Sequence, residues 1–477
     1  MLPGESGQAA IDQWGERLAI VAADHSMSLD ALEKLLLHDA SVRIHPSGRV
    51  YFVDPVAPKP EAFDPNDLVL RDDIPLDQAF LLHSKPDADL VIYLDFDGHH
   101  SVNNDWGHDI QFPPFDTNGH PNGFHNSELR EIIEHWRYVA EDFAPFDVDV
   151  TTEEPFIGRL KKHGPNDPRY GVRVVCTQPT DGFGDGIGGV AFLRSFDDSV
   201  DNPVFTFNKG ANNGGMTSSH EAGHSLGLSH DGLNEQAYHP GVGTGATSWG
   251  PLMGAPFGKS LTQWSDGSYA GATNTEDDYA VMATLGLTFR ADGVGDTFET
   301  AAALSVDCND PNVVSFPTNL IETRDDVDVF SFTTSGGDIR IETSVPTDVA
   351  NLDIRLDLYD EQGVLLVTKN PVDARKAKIV TNVPAGTYYF TVDGTDRPPR
   401  YTDYGSIGAY EVSIHAPPPG CACPGDVDGD GDVDLSDLSI LLANFGEAGA
   451  TGDLDGDGTV DLSDLAILLA EFDNVCA

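Results

Sequence analysis

"SSHEAGHSLGLSHDG", residues 218–232, places three histidines and one glutamate within a single short stretch. On a helix, His220 and His224 lie one turn apart on the same face, so both imidazoles can reach one ion. Gly227 lets the chain turn sharply, and His230 then returns as a third ligand. Three imidazoles and one water form an open tetrahedral zinc site. The stretch therefore predicts one Zn²⁺ held by these three histidines.

Glu221 follows the first histidine directly, where a carboxylate can hold a water molecule and take its proton. We therefore predict that Glu221 is the catalytic base. The short H-E-x-x-H pattern is a weak signal, because a surface helix can carry a chance histidine pair. The extended pattern H-E-x-x-H-x-x-G-x-x-H is far more restrictive.

The extended pattern resembles that of the metzincin clan of zinc metallopeptidases, and Asp231 after the third histidine is similar to the reprolysin branch. The resemblance implies a Met-turn, which we assign to Met253 in "SWGPLMGAP". It also implies an edge strand that pairs with the substrate backbone, assigned to "GGVAFLRSF" (188–196). Ala255 stands where a tyrosine would stabilise the oxyanion, so that role stays unassigned.

The resemblance implies a zinc-dependent endopeptidase that hydrolyses protein or peptide substrates with a water molecule activated by zinc and Glu221. The alternative is a non-proteolytic, extracellular, calcium-dependent binding or anchoring protein with a structural zinc site. A second alternative starts from "VIYLDFDGHH" (91–100), because an apolar strand ending in D-x-D-G begins the haloacid-dehalogenase phosphatases, with Asp95 and Asp97 in their active site. A strand followed by an Asp-Gly turn is the simpler interpretation.

Apolar periodicity divides the chain into four stretches. Residues 1–88 read as a leader or pro-region with a helix in 28–40 and a strand in 49–55; it has no cysteine that could silence a zinc site. Residues 89–288 alternate strands and helices, which predicts an α/β, metzincin-like catalytic domain. A helix over 127–143 and a helix capped by Ser218 or Ser219 are expected within it. Five histidines before the second helix are expected to be scattered on the surface: His99, His100, His120, His125 and His135.

Residues 289–417 carry short alternating strands separated by Gly, Asp and Pro, which predicts an all-β sandwich. "DDVDVFSF", "DLYDEQG" and "PAGTYYFTVDG" make this stretch similar to the pre-peptidase C-terminal domain of secreted bacterial proteases.

Residues 418–477 contain the repeats "GDVDGDGDVDLSDLSILLANFG" and "GDLDGDGTVDLSDLAILLAEFD". Oxygen atoms recur at the intervals that Ca²⁺ requires, and an amphipathic helix follows each loop, so we predict two Ca²⁺ ions. The repeat resembles type I dockerin, a small all-α calcium-loop module whose partner is a cohesin domain. The predicted ligands are Asp426, Asp428, Asp430, the Asp432 carbonyl, Asp434 and Asp437, then Asp453, Asp455, Asp457, the Thr459 carbonyl, Asp461 and Asp464.

Lys and Arg number 27 against 78 Asp and Glu, a net charge of −51. Such a surface repels nucleic acid and anionic membranes.

A disulfide could join Cys476 to Cys421 or to Cys423, and the sequence leaves this pairing open. No apolar run is long enough to span a membrane, and the N-terminus lacks the pattern of a signal peptide. The calcium loops imply export, so we expect a secreted or cell-surface protein whose signal peptide has been removed.

Overall fold

A computed structural model of the chain describes residues 4–58, 73–120, 123–180, 183–306, 312–314, 319–345, 350–419, 424–449 and 451–473. Within these ranges no helix has the length and apolarity needed to cross a membrane. The chain is multidomain and rich in β-sheet. Cys176 is buried and free, whereas the cysteines of the open disulfide pairing and Cys308 lie outside the described residues.

The N-terminal leader folds around its own small apolar core. Ser28 caps the third helix by accepting a hydrogen bond from the Ala31 N–H at 3.1 Å, which confirms the helix predicted in 28–40. Leu32 and Leu36 of this helix pack with Val50 and Phe52 of the last leader strand. The leader elements are α1 (Gly7–Trp14), α2 (Leu18–Asp24), α3 (Leu29–His38), β1 (Arg43–Ile44) and β2 (Val50–Pro55).

A seven-stranded mixed sheet combines leader strands β1 and β2 with five strands of residues 89–288, a stretch that also contains two long helices. The elements of this stretch are β3 (Leu90–Asp95), β4 (His99–Ser101), β5 (Ile110–Phe112), α4 (Asn126–Asp142), β6 (Val148–Thr151), β7 (Gly171–Cys176), β8 (Ile187–Phe192), β9 (Val204–Thr206), α5 (Ala211–Ser225), β10 (Trp249–Pro251), β11 (Leu261–Gln263) and α6 (Asp278–Ala283). The strand order is β1-β2-β8-β9-β7-β3-β6. Strands β9, β7, β3 and β6 are parallel, and β8 is antiparallel to β9.

Strand β8 lies within the stretch predicted to be an edge strand. That prediction is wrong, because β8 has a neighbouring strand on each side. Leader strand β2 pairs antiparallel with β8, from Tyr51 opposite Phe192 to Pro55 opposite Ile187. The sheet would end at β8 without the leader. Sequence patterns could not show this, because the pairing joins segments more than a hundred residues apart.

Helix α5 begins earlier than the sequence indicated. Gly210 precedes its first residue, and Ser218 and Ser219 are buried inside the helix instead of capping it. Helix propensity does not predict the first turns of α5, because they contain Gly214 and Gly215 and glycine is a poor helix former. Their small size is what lets α5 approach α4: an added Cβ on Gly215 would lie 2.5 Å from Tyr138 Cβ. The predicted stop at Gly227 is confirmed, since Gly227 has φ +98.

The predicted β-sandwich is present as two five-stranded sheets that enclose one apolar core. The sheets run β12-β15-β20-β17-β18 and β13-β21-β16-β19, with β14 also paired to β21. The strands are β12 (Ala302–Leu304), β13 (Asn312–Val314), β14 (Asn319–Ile321), β15 (Val327–Thr334), β16 (Gly337–Ser344), β17 (Ile354–Asp360), β18 (Leu365–Lys369), β19 (Lys378–Val383), β20 (Gly386–Gly394) and β21 (Gly408–His415). Strands β12, β13, β14 and β19 were absent from the sequence-based prediction.

The C-terminal repeat folds as two short helices, α7 (Leu435–Ala443) and α8 (Leu462–Ala470), each starting at the end of an acidic loop. A small core of Val433, Leu441, Val460 and Leu468 joins the two repeats. The helices predicted after each loop are therefore confirmed.

The close packing of α4 and α5 generates a stability prediction. Gly215→Ala would force Tyr138 and α5 apart, and overpacking of this kind costs about 1–3 kcal/mol. In a helix without this contact, exchanging glycine for alanine stabilises the fold by up to about 1 kcal/mol. The sign of the change in stability therefore shows whether the contact with Tyr138 dominates. We expect the calorimetric melting temperature to fall by about 2–4 °C per kcal/mol. Gly293→Ala is the control, because its added Cβ meets nothing within 4 Å; an unchanged or higher melting temperature for Gly215→Ala would contradict this packing.

Candidate metal centre

Helix α5 and the turn after it bring the three predicted histidine ligands together. The ring centroids of His220, His224 and His230 lie 4.8, 5.1 and 4.7 Å apart, taken pairwise. The Nε2 atoms of His224 and His230 are 3.0 Å apart. All three rings are buried. The arrangement that the sequence predicted is therefore formed by the fold.

Hydrogen bonds at Nδ1 hold each ring with Nε2 toward the common centre. His220 Nδ1 donates to the carbonyl of Leu252 at 2.9 Å, and His224 Nδ1 donates to the carbonyl of Leu228 at 2.7 Å. Because a carbonyl only accepts, these two bonds fix the tautomer and leave a lone pair on each Nε2. His230 is held differently: its Nδ1 lies 2.5 Å from a carboxylate oxygen of Asp39, in the leader. Such partners are typical of metal-ligating histidines.

Glu221 lies beside the histidines and is completely buried. Among the described residues neither of its carboxylate oxygens has a hydrogen-bond partner. The carboxylate packs on Gly189 of β8, where an added Cβ would lie 1.9 Å from Glu221 Oε1. Burial and the nearby charge of Asp54 raise the pKa of Glu221 well above its ordinary value. An unpaired buried carboxylate is costly, which favours a bound ligand beside Glu221.

Asp54, at the end of β2, lies at the centre of the three imidazoles and was missed by the sequence analysis. Its Oδ2 is 3.3 Å from His220 Nε2 and 3.4 Å from His224 Nε2, and its Oδ1 is 3.1 Å from His230 Nε2. Four donor atoms from these residues lie within 4.8 Å of one another. The only signal in the sequence was an aspartate ending a predicted strand in a leader without cysteine, with no spacing that linked it to the histidines.

The charge balance of this cluster suits a divalent cation. Burial lowers the pKa of His224 to about 4, so this imidazole is neutral and available as a ligand. Burial also disfavours a charged His230, but the charges of Asp39 and Asp54 outweigh it and raise its pKa to about 10. The protein alone thus uses a proton on His230 to offset buried carboxylates. Nitrogen and oxygen donors in this number fit Zn²⁺, which would supply that positive charge.

Met253, the predicted Met-turn residue, is fully buried beneath α5. An added Cβ on Gly223 would lie 2.6 Å from its Sδ, so the helix rests directly on this side chain. The carbonyl of Met253 accepts a hydrogen bond from the Asp231 N–H at 2.9 Å, and Leu252 beside it orients His220. The turn therefore supports the first and third histidines together.

Tyr238 is a second residue that the sequence analysis missed. Its hydroxyl donates to Asp54 Oδ1 at 2.6 Å, and its ring centroid is 4.2 Å from that of His230. With Asp54, His220 and Glu221 it lines a cavity of about 20 Å³ beside the cluster. A space of this size holds about one water molecule.

The acidic loops of the C-terminal module converge on one buried aspartate each. Asp437 accepts from the N–H groups of Val427 and Asp434 at 2.6 and 2.8 Å, and Asp464 makes the equivalent bonds in the second loop. The carboxylate groups that meet within 4.8 Å are Asp426, Asp428 and Asp437; Asp432, Asp434 and Asp437; and Asp453, Asp455 and Asp464. The carboxylates of Asp430, Asp457 and Asp461 are not part of these groups; Asp457 binds the Thr459 N–H at 2.8 Å.

A further carboxylate cluster, absent from the sequence analysis, lies at the base of the sandwich. Asp292, Asp296 and Asp326 offer oxygens within 4.8 Å of one another. Asp326 is buried, and among the described residues its Oδ1 has no hydrogen-bond partner. Glu322 and Asp328 are buried beside it, and burial with the surrounding carboxylates raises the pKa of Asp328 to about 8. Unpaired oxygens of this kind suit a hard cation such as Ca²⁺.

The remaining candidate residues have structural explanations. His135 is fully buried, contrary to the predicted surface position, because its Nε2 bonds the Ser218 hydroxyl at 2.8 Å and so ties α4 to α5. Asp95 is buried and forms an ion pair with Arg173 at 2.7 Å, whereas Asp97 is exposed. Arg173 also binds Asp201 at 3.0 Å, so the aspartate that begins the phosphatase-like motif belongs to an ion-pair network.

Comparison with known proteins gives partial similarities only. No family model matches the chain. No curated protein matches it. Among solved structures, the pre-peptidase C-terminal domain of a collagenase from Bacillus anthracis matches 27% of this chain and 99% of that chain, with 17% identity and a TM-score of 0.19. A type II cohesin–dockerin domain from Bacteroides cellolosolvens matches 12% of this chain and 93% of that chain, with 34% identity and a TM-score of 0.11.

A third similar structure is PliG of Aeromonas hydrophila, a periplasmic inhibitor of g-type lysozyme. The match covers 26% of this chain and 98% of the PliG chain, with 10% identity and a TM-score of 0.19. Each of these three similarities is partial and covers at most 27% of this chain.

Proposed function

We propose that the chain is a secreted, zinc-dependent endopeptidase with a metzincin-like catalytic domain over residues 89–288. One observation carries this proposal: the three Nε2 atoms of the H-E-x-x-H-x-x-G-x-x-H stretch converge, with the unpaired carboxylate of Glu221 buried next to them. His220, His224 and His230 would hold Zn²⁺, which polarises a scissile carbonyl and lowers the pKa of a bound water. The fold and the export of the chain are part of the proposal.

The chain's own residues supply orientation and proton transfer. Leu252 and Leu228 hold the imidazoles of His220 and His224 through their carbonyls. Strand β8, when its outer edge is free, pairs with the backbone of an extended substrate. Glu221 accepts the proton of the attacking water and passes it to the leaving amine. Tyr238, which lines the cavity beside Glu221, offers a hydroxyl to a developing oxyanion, a role that Ala255 cannot take.

A non-proteolytic binding protein with a structural zinc site is the weaker alternative. A structural site has no need of a base, yet Glu221 is buried at the cluster with both oxygens unpaired among the described residues. That burial is costly without a function for the carboxylate.

We propose that the C-terminal module adds a docking function, with a cohesin-type domain as its partner. Proteolysis and anchoring would then be combined in one protein.

Glu221→Gln tests the catalytic assignment. The variant should keep about one zinc per chain and lose about 10²–10⁴-fold in the basal rate of casein or gelatin hydrolysis, because it cannot take a proton. Plasma emission spectrometry measures the zinc, and a zinc chelator should abolish the remaining activity. Glu235→Gln, an exposed glutamate of the following loop, is the matched control and should change neither quantity. Full proteolysis by Glu221→Gln would refute the assignment.

We also propose that three carboxylate groups bind calcium: the two C-terminal loops and the Asp292–Asp296–Asp326 cluster. Each places carboxylate oxygens within 4.8 Å of one another, and in each one aspartate is buried. The net charge of −51 makes metal-free carboxylate clusters unfavourable, and divalent cations offset this repulsion. Calcium in the sandwich would tie the segment that enters this domain, residues 292–296, to the loop before β15.

Calcium titration of variants tests these sites. Equilibrium dialysis should find about three Ca²⁺ per chain, one for each loop and one for the sandwich. Asp326→Asn should remove about one ion and, in calcium, melt at a lower temperature than the native chain. Asp396→Asn, an exposed aspartate of the same domain, should leave binding unchanged. If Asp326→Asn binds as much calcium as the native chain, the cluster is not a calcium site.

A further inference from the structure

We infer that the chain has a second binding site, in a cavity on the sheet face opposite to α5, which takes a guanidinium or ammonium group carried on an apolar stem. Arginine and lysine side chains of a peptide carry such a group, and so do free polyamines. The site is independent of the proposed peptidase function, because Glu221 and the three histidine ligands take no part in it. The cavity measures about 620 Å³, which is within the range of sites for small organic ligands.

The sheet separates this cavity from α5 and its metal ligands. Ile92 and Leu94 of β3 belong to the apolar core that also contains Ala222 of α5. Successive side chains of a strand alternate between the two faces of a sheet, so Asp95 lies on the opposite face. Arg173 of β7 lies on that face too, because its neighbours along the strand belong to the same core. The β4–β5 hairpin, the loop after β6 and the segment before β9 form the walls of the cavity.

Three buried acceptor atoms of the lining have no hydrogen-bond partner among the described residues: Asp95 Oδ1, Asp201 Oδ1 and His99 Nε2. Asp95 is 1% exposed. Its other oxygen accepts from Arg173 at 2.7 Å, and the same guanidinium binds Asp201 at 3.0 Å. Burial, with the charge of Arg173, lowers the pKa of His99 to about 3, so this imidazole is neutral and has a lone pair to accept with. Unpaired buried acceptors are costly, which favours a ligand that donates hydrogen bonds.

The charge of the lining favours a cation. The carboxylates outnumber the cationic side chains, with Asp95, Asp97, Glu154 and Asp201 against Lys161 and Arg173. In the part of the chain that the structure describes, no three histidine or acidic side chains of this lining bring ligand atoms within 4.8 Å of one another, as they do at the metal centre. An organic cation with several N–H donors therefore fits the charge and the volume better than a lone metal ion does.

Apolar side chains around the carboxylates suit the stem of such a ligand. Val102, Ile157 and Val200 line the cavity and are 49%, 47% and 39% exposed. They come from the three separate segments that form the walls. The methylene groups of an arginine or lysine side chain pack on apolar surface while the charged end reaches polar groups. The site thus offers one surface for each part of the ligand.

Titration calorimetry on the full chain tests the site, with N-acetyl-arginine amide as the probe. N-acetyl-citrulline amide has nearly the same shape without the charge and should bind at least about tenfold more weakly. The double variant Asp97→Asn, Glu154→Gln should weaken binding of the arginine probe by about tenfold, because an exposed ion pair contributes up to about fivefold and distant pairs add. Asp185→Asn, an exposed aspartate outside the cavity, is the control and should bind like the native chain.

Lys161→Gln provides a result that a folding defect cannot imitate. Loss of this positive charge should tighten binding of the arginine probe by about threefold, whereas an anionic ligand would bind more weakly. Spermidine and the arginine probe are then compared on the native chain. Tighter binding of spermidine would identify a free polyamine as the ligand, and tighter binding of the arginine probe would identify a peptide side chain.

The inference is overturned if the arginine probe does not bind, if the citrulline probe binds equally well, or if the double variant keeps the native affinity. Displacement of the arginine probe by stoichiometric Ca²⁺ would also overturn it, because the cavity would then be an inorganic cation site. Glu221→Gln separates this test from that of the proposed function. It should bind the probe like the native chain whether or not the chain is a peptidase, and loss of binding would place the probe at the metal centre.

Discussion

Two carboxylates, those of Asp54 and Glu221, are buried against three imidazoles, and low-polarity surroundings make such a group of charges unfavourable without a cation. The rest of the centre follows from this constraint. The negative charges of Asp39 and Asp54 keep His230 protonated when only protein groups are present, whereas His224 stays neutral. A divalent metal would replace that proton with a larger charge at the same point. This charge balance supports the proposed Zn²⁺ at the site.

The packing around the centre serves the same geometry. Gly214 and Gly215 allow α5 to press against α4, and Met253 supports α5 from below through Gly223. Strand β8 presents Gly189 to Glu221, since any larger residue would collide with the carboxylate. Glycines thus occur where backbone or a catalytic group must approach closely, at the cost of helix propensity in α5. The positions of the ligands are fixed by tertiary contacts more than by local preference.

The leader and the calcium clusters show how charge is managed in so acidic a chain. The leader supplies Asp39 and Asp54 to the centre, so two carboxylate partners of His230 come from one folded unit. In the sandwich and the C-terminal repeat, buried aspartates lie where oxygens converge and cation side chains do not reach them in the described residues. If these clusters bind Ca²⁺ as proposed, ion binding would be coupled to folding at each of them.

The sequence by itself determined the features that depend on local spacing. A spacing of four residues places His220 and His224 on one face of a helix, and Gly227 permits the turn to His230. The acidic repeat spaces its oxygen atoms within each loop. Alternation of apolar residues was enough to predict six of the ten sandwich strands, although not β12, β13, β14 or β19. These features were predictable because each depends on residues close together in the chain.

Only the tertiary structure decided what meets these local features. Asp54 reaches the histidines from more than 160 positions away, β2 covers β8, and Asp292 meets Asp326 across the entry to the sandwich. The start of α5 was misjudged because the reason for its glycines is a neighbouring helix, and His135 is buried for the same reason. Contacts between distant segments leave no periodic pattern in the sequence, because they depend on how whole elements pack.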